Sequence, residues 1–327
     1  MSRESRGRQA VRPGELGVAD WKAVALRVWR GISQDNLGVV AAGVGFYAFF
    51  ALFPALAAVV SLYGLIADPG DVERMVRQVQ DVLPEAVTGI LSGQLRKLAE
   101  NTDARLGVGV AVGILIALWS ATKGTKALMV GLNIVNGEEE KRGFLRLNAL
   151  ALGLTFGAVV AVILALAMVV VAPAVLAAFP LPDLLRPLIA WVRWPVLAVL
   201  MALGLSALYR YAPSRRPARW RWLTHGAVLA TGLWLIASGL FSWYVANFGA
   251  YNETYGSMAA IAILLMWFFL SAYVILLGAK VNSELEHHTE RDTTVGADRP
   301  MGRREAVMAD TVAGSADTEG SGGLRAE

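Results

Sequence analysis

The sequence predicts an all-α protein, a polytopic membrane bundle of six transmembrane helices with both termini on the cytoplasmic side. Three observations predict it. Residues 37–67 run for 31 positions without a charged side chain, where roughly 20 apolar residues carry a helix across a bilayer. Five further apolar runs follow along the chain. The connections between runs alternate between rich and poor in Lys and Arg, the signature of fixed orientation in a membrane. Composition agrees: 56% of residues are hydrophobic and only 17% are charged, far from the balance of a soluble domain.

Residues 1–36 form a basic cytoplasmic segment with seven Lys and Arg, among them Arg3, Arg6, Arg8 and Arg12. Inside it, Trp21, Ala25, Val28, Trp29 and Ile32 make an apolar stripe flanked by Lys22, Arg27 and Arg30. That pattern predicts an amphipathic helix lying on the anionic leaflet. The run at 37–67 is too long for a cleavable signal and is expected to be a retained first span. The other spans fall at 106–122, 148–179, 194–212, 223–246 and 257–281, and the membrane domain as a whole covers 37–283. Pro54 and Pro173 sit in the two longest spans, where a missing backbone donor favours a kink. The second span is the shortest, because Lys123 and Lys126 follow closely on Trp119.

The connections set the orientation. Five basic residues lie in 122–147 (Lys123, Lys126, Lys141, Arg142, Arg146), and five in 209–222 (Arg210, Arg215, Arg216, Arg219, Arg221). The opposite connections are poor in them: 180–193 has Arg186 and Arg193, and 247–256 has none. The first external loop, 68–105, carries two apolar faces separated by Pro84, which predicts amphipathic helices at the outer interface. The C-terminal segment 284–327 is expected to be a disordered cytoplasmic tail from about residue 289, since it is rich in Gly, Ala, Ser, Thr and Asp and lacks apolar periodicity.

Two groups of residues are candidates for a site. On the outer side, Tyr251, Asn252, Glu253 and Tyr255 gather tyrosines, an amide and a lone carboxylate in one short turn. Such groups suit a polar headgroup, although tyrosine also belongs to the interfacial aromatic belt. On the inner side stand Tyr209, Arg210, Tyr211, Arg215 and His225, which equally serve as charge anchors and aromatic anchors. Lys280 and Asn282 close the last span, and Lys280 is expected to reach toward the interface with its head in water.

Much is excluded. The chain has no cysteine and three histidines, His225, His287 and His288, so no thiolate or histidine-rich metal site is expected. No GxxxxGK[ST] phosphate loop occurs. No catalytic residues, no cofactor and no metal are assigned, and no nucleic-acid partner is expected. The net charge of +4 follows from the orientation signal.

A set of residues in order then resembles the YihY/BrkB family of bacterial inner-membrane proteins, some of whose members were formerly labelled ribonuclease BN. The likeness covers most of 25–285. It rests on Ala41-Ala42, Phe46-Tyr47 and Leu52-Phe53-Pro54, on Trp119-Ser120 and Leu132-Asn133, and on Tyr209-Arg210-Tyr211-Ala212-Pro213. Trp220, Gly226-Ala227, Trp234, Tyr251, Tyr255-Gly256-Ser257, Trp267 and Gly278-Ala279 continue it. The resemblance implies six spans in a bacterial plasma membrane, and it supplies no settled activity. Many relatives carry a glutamate after that Gly-Ala, where this chain has Lys280.

Three functions remain open at this point. One is a transporter or flippase-like protein for lipid or another envelope amphiphile, with membrane lipids as partners. The second is a non-catalytic scaffold using the 68–105 loop as its contact surface. The third, a membrane-bound ribonuclease, is the weakest, because no residue set for phosphodiester cleavage is present.

Overall fold

The computed structural model describes residues 7–66, 105–171, 185–248 and 257–313. Its long helices are α1 (Val18–Gln34), α2 (Leu37–Ile66), α3 (Arg105–Val135), α4 (Phe144–Leu166), α5 (Leu185–Tyr211), α6 (Trp220–Phe248) and α7 (Ser257–Glu286). A π-helical turn, Ala167–Val171, extends α4, and a one-turn α8 (Val307–Asp310) follows α7. No strand occurs among the described residues. In hydrocarbon the backbone must satisfy its own hydrogen bonds, so uniformly apolar sequence folds as helix.

Among the described residues, four helical stretches are long and apolar enough to cross a membrane: Phe144–Val169, Trp191–Tyr211, Trp220–Asn247 and Ile261–Glu286. A fifth arises if α1 and the first half of α2, bent by 64° at their junction, are taken together. The bend is made at Asn36, whose φ of 49° places it in the left-handed region where Asn is one of the few tolerant side chains.

These stretches lie close to five of the six expected spans, and the second expected span, which is not among them, differs in extent. The second does not stop at 122 but continues as α3 through both lysines to Val135. Its end is set by local chemistry. The Asn136 side chain donates to the Leu132 carbonyl at 2.7 Å, and Gly137 turns left-handed at φ 65°, the usual way to stop a helix.

The helices pack in chain order, α2 on α3, α3 on α4, α4 on α5, α5 on α6, α6 on α7 and α7 back on α2, in a ring that a further contact of α7 with α3 crosses. The α4–α5 contact is the slightest of these. Among the described residues, apolar packing is tightest around Leu37, Ala41, Leu132, Ala227, Ala230 and Leu276, which are at most 1% exposed. Helix α4 contributes the buried Ala151 to that core, with Leu147, Leu150 and Leu154 half-buried against it. From 156 to 164 almost every residue of α4 is exposed, around the full circumference of the helix. The bundle is therefore tight at one end and splayed along α4.

Helix α1 does not simply lie on a leaflet. Its Val24 and Val28 pack against Trp222, Val281 and Leu285, while Trp29 of the predicted apolar stripe remains exposed.

The largest departure is the C-terminal segment. Expected to be disordered from about 289, it is packed as far as Ala313, where the described residues end. Thr289, Thr293 and Thr294 are fully buried. Thr289 donates to the Ala10 carbonyl at 2.8 Å, and the Glu290 amide donates to Arg8 at 2.8 Å. The Arg219 amide donates to Thr293 at 2.9 Å and the Val295 amide to Pro217 at 3.0 Å. The Val307 amide donates to Glu138 at 2.7 Å. This strap binds the N-terminal segment and both basic connections together. It is held by hydrogen bonds and not by an apolar stripe, so it carries no periodic signal.

Candidate functional site

The tight end of the ring is also where the charges meet. The deepest pair is Arg215–Glu286. Arg215, from the α5–α6 connection, donates to both Glu286 oxygens at 2.7 and 2.8 Å, and the two side chains are 2% and 1% exposed. Arg215 also reaches Asn136 at 3.2 Å, and Thr293 of the strap donates to Glu286 at 2.8 Å. Four separate pieces of chain converge on one ion pair. Arg215 Nη2 serves both carboxylate oxygens, and a charge-assisted contact with every oxygen occupied is what allows such a pair to survive burial.

A second group joins the α3–α4 connection to the α5–α6 connection. The Ser214 amide donates to Asn133 Oδ1 at 2.7 Å, and the Lys141 amide to Ser214 Oγ at 3.0 Å. Arg142 holds Glu140 through two contacts of 2.6 Å and donates to the Ala212 carbonyl at 2.8 Å. The Arg142 hydrogen bonds draw the Glu140 carboxyl down to about 2.

A third group ties α1 and α2 to α7. Lys280 is 4% exposed and pairs with Asp35 at 2.8 Å and Glu284 at 3.1 Å. The expectation that it reaches the interface is corrected: Asp35, distant in sequence, and Glu284, one turn along α7, close over it. Gly31 makes room, since a Cβ there would come 2.2 Å from Lys280 Cε. Arg27 donates to Glu284 at 2.9 Å.

His288 sits beside this group, 3.1 Å from Asp20 and 3.3 Å from Arg27. Burial pushes its pKa below the ordinary 6.5, with Arg27 and Arg8 adding to this against Asp20. The unfolded imidazole then takes up its proton at a higher pH than the folded one. Stability from this residue is present above 6.5 and falls as pH drops through that value. Acidification from neutrality to about pH 5 is therefore expected to lower the melting temperature and the hydrogen-exchange protection factors in 287–295. His288→Gln should flatten that dependence; an unchanged profile in the variant would place the titration elsewhere.

The inner-side candidates take clear places. Tyr209 is buried and donates to the Ile275 carbonyl at 2.8 Å, joining α5 to α7. Arg215 is locked to Glu286. Arg210 donates to Ala218 at 2.9 Å and lies 4.8 Å over the Trp220 ring, which Tyr211 meets edge-on. His225 is exposed, its ring 6.2 Å from that of Trp21. The structure thus gathers these residues at one end, chiefly as fasteners. Tyr251, Asn252, Glu253 and Tyr255 lie outside the described residues. Asn136, Ser283, Glu286 and Thr293 are not among the sequence candidates, and Asn133 enters there only through the family resemblance, although polar residues at the ends of apolar helices are the available signal.

Comparison with known proteins places these features in a family. The model described as virulence factor BrkB matches residues 28–301. Bacillus subtilis strain 168 has a protein named ribonuclease-like, YfkH, that is 31% identical over 248 residues, 75% of this chain and 88% of its own. A UPF0761 membrane protein of Verminephrobacter eiseniae is 26% identical over 280 residues, 83% of this chain. Another, from Methylibium petroleiphilum, is 26% identical over 294 residues, 84% of this chain. The match spans 64% and 65% of those two relatives, which are longer. No solved structure matches. The match to the family model runs across the ring, its charged end and the start of the strap, and the chain belongs to the BrkB virulence-factor family of membrane proteins.

Proposed function

We propose that this chain is a non-catalytic transporter of lipid or another envelope amphiphile, spanning the bacterial plasma membrane six times with both termini in the cytoplasm. One observation carries the reading: α4 is exposed around its whole circumference from 156 to 164 while the opposite end of the ring is closed by buried charge pairs. A helix facing only lipid on one side and protein on the other would bury one face. A gap beside α4, continuous with the slight α4–α5 contact, suits a cargo whose tails stay in hydrocarbon. The charged layer then acts as the closed gate. The basic connections on that side agree with the cytoplasmic assignment.

The test is movement of headgroup-labelled phospholipid in proteoliposomes, read with a membrane-impermeant quencher. Wild type is expected to move lipid faster than empty vesicles, and Gly157→Trp to slow it severalfold by filling the gap; nothing lies within 4 Å of a Cβ at that position. Glu253→Gln and Tyr255→Ala probe the outer mouth in the same assay. A rate equal to empty vesicles removes passive lipid movement.

A further inference from the structure

On α3, Lys126 is half-buried and Lys123 exposed, and neither is answered as the buried cations of the charged layer are. Lys280 is answered by Asp35 and Glu284, and Arg215 by Glu286. Among the described residues, no carboxylate stands within ion-pairing distance of Lys123 or Lys126. Lys126 instead meets Asn148 of α4 and lies 5.8 Å from the Trp119 ring centroid. The Asn148 amide is oriented by its own bond, its Nδ2 donating to the Phe144 carbonyl at 2.6 Å, which leaves its oxygen for Lys126. That accounts for one of three ammonium protons. Lys123, one turn away, is exposed.

Depth makes this costly. Lys126 precedes Asn133, in the charged layer, by seven positions of helix, about 10 Å along the axis. Between them Val130 is an exposed apolar residue, as are Ile134 just beyond and Phe144 and Leu145 at the start of α4. Both lysines therefore sit inside an apolar band, where an uncompensated cation is expensive and marks a functional position. Toward the far end, the same face continues as Trp119, Ile116 and Leu115, all exposed. Positions 115, 119, 123 and 126 fall on one stripe of the helix. The stripe reads as apolar track, aromatic ring, then two cations.

We propose that the α3–α4 groove at Lys123, Lys126 and Asn148 binds the phosphate headgroup of an anionic phospholipid, with an acyl chain along Trp119, Ile116 and Leu115. The phosphate oxygens accept from the unused ammonium protons, and the lipid supplies the charge that the chain does not. The apolar track favours lipid over free phosphate as the source. The site lies outside the charged layer and holds whether or not the chain moves lipid.

Native mass spectrometry of the full chain released from nanodiscs tests this, with phosphatidylglycerol titrated into phosphatidylcholine. Wild type is expected to retain a phosphatidylglycerol adduct in preference to phosphatidylcholine. Lys123→Gln and Lys126→Gln should each weaken it about fivefold, and the pair about 25-fold. Lys126→Arg should retain it, and Lys123→Gln, at an exposed position, leaves packing untouched. Equal retention of the two lipids overturns the proposal, as does an affinity unchanged in the double variant. Displacement of the lipid by millimolar inorganic phosphate would make it a free-anion site and overturn the lipid assignment.

Discussion

Replacing Arg215 with methionine is expected to destabilise the protein by about 3–5 kcal/mol, the cost of leaving a buried charge without its partner. Glu286 would keep only the Thr293 hydroxyl, in a setting 1% exposed. Loss of the guanidinium also frees Asn136, so the end of α3, the end of α7 and the strap part together. Two measurements check this. Unfolding in mixed micelles should show the drop, and Arg215→Met combined with Glu286→Leu should recover most of it, because an apolar pair of similar volume replaces a buried ion pair at little cost. The chain has no cysteine, so a single cysteine at Thr294, fully buried here, reports on the strap. It should resist maleimide in the otherwise wild-type chain and react readily beside Arg215→Met. A change within about 1 kcal/mol would mean that water already reaches the pair, as it does for exposed salt bridges.

The parts of this fold legible in the sequence are those whose cause is local. Long uncharged runs such as 37–67 dictate helix whatever surrounds them, and α2 begins at Leu37 as expected. The end of α3 was misjudged because two lysines ordinarily close a span. They remain in the helix since Asn148 and Trp119 receive Lys126, while Met129, Leu132 and Val135 on the following turns pack into the core. The strap was missed because order there comes from partners distant along the chain: Arg8, Ala10, Pro217 and Glu138 have no visible link to 289–307 in sequence. Lys280 was misplaced for the same reason, with Asp35 closing over it from another helix. Of the inner-side candidates, the positions were legible and the roles were not, because a basic residue in a connection looks the same whether it anchors in a headgroup layer or pairs with Glu286.

Adding one methyl group at Gly226 is expected to cost about 1–3 kcal/mol through overpacking, where the same change at Gly239 costs nothing. A Cβ on Gly226 would stand 2.1 Å from the Gly278 carbonyl oxygen and 2.5 Å from Asn282 Oδ1. The first is backbone and cannot swing aside. The second accepts the Gly226 amide at 2.7 Å, while the same side chain donates to Leu223 at 2.9 Å, so displacing it breaks two buried hydrogen bonds. Gly278 faces the crossing from α7, where a Cβ would meet Gly226 oxygen at 2.6 Å and Tyr209 hydroxyl at 2.7 Å. Small residues let helix backbones approach in a membrane, and here the approach is what lets Asn282 and Tyr209 reach main-chain groups on neighbouring helices. Nothing lies within 4 Å of a Cβ on Gly239, and alanine there should stabilise by up to about 1 kcal/mol through helix propensity. Unfolding of Gly226→Ala, Gly278→Ala and Gly239→Ala in the same micelles therefore separates contact from propensity. If all three shift alike, the α6–α7 crossing is looser than a direct carbonyl contact, and the charged layer would have to hold that end of the ring together without it.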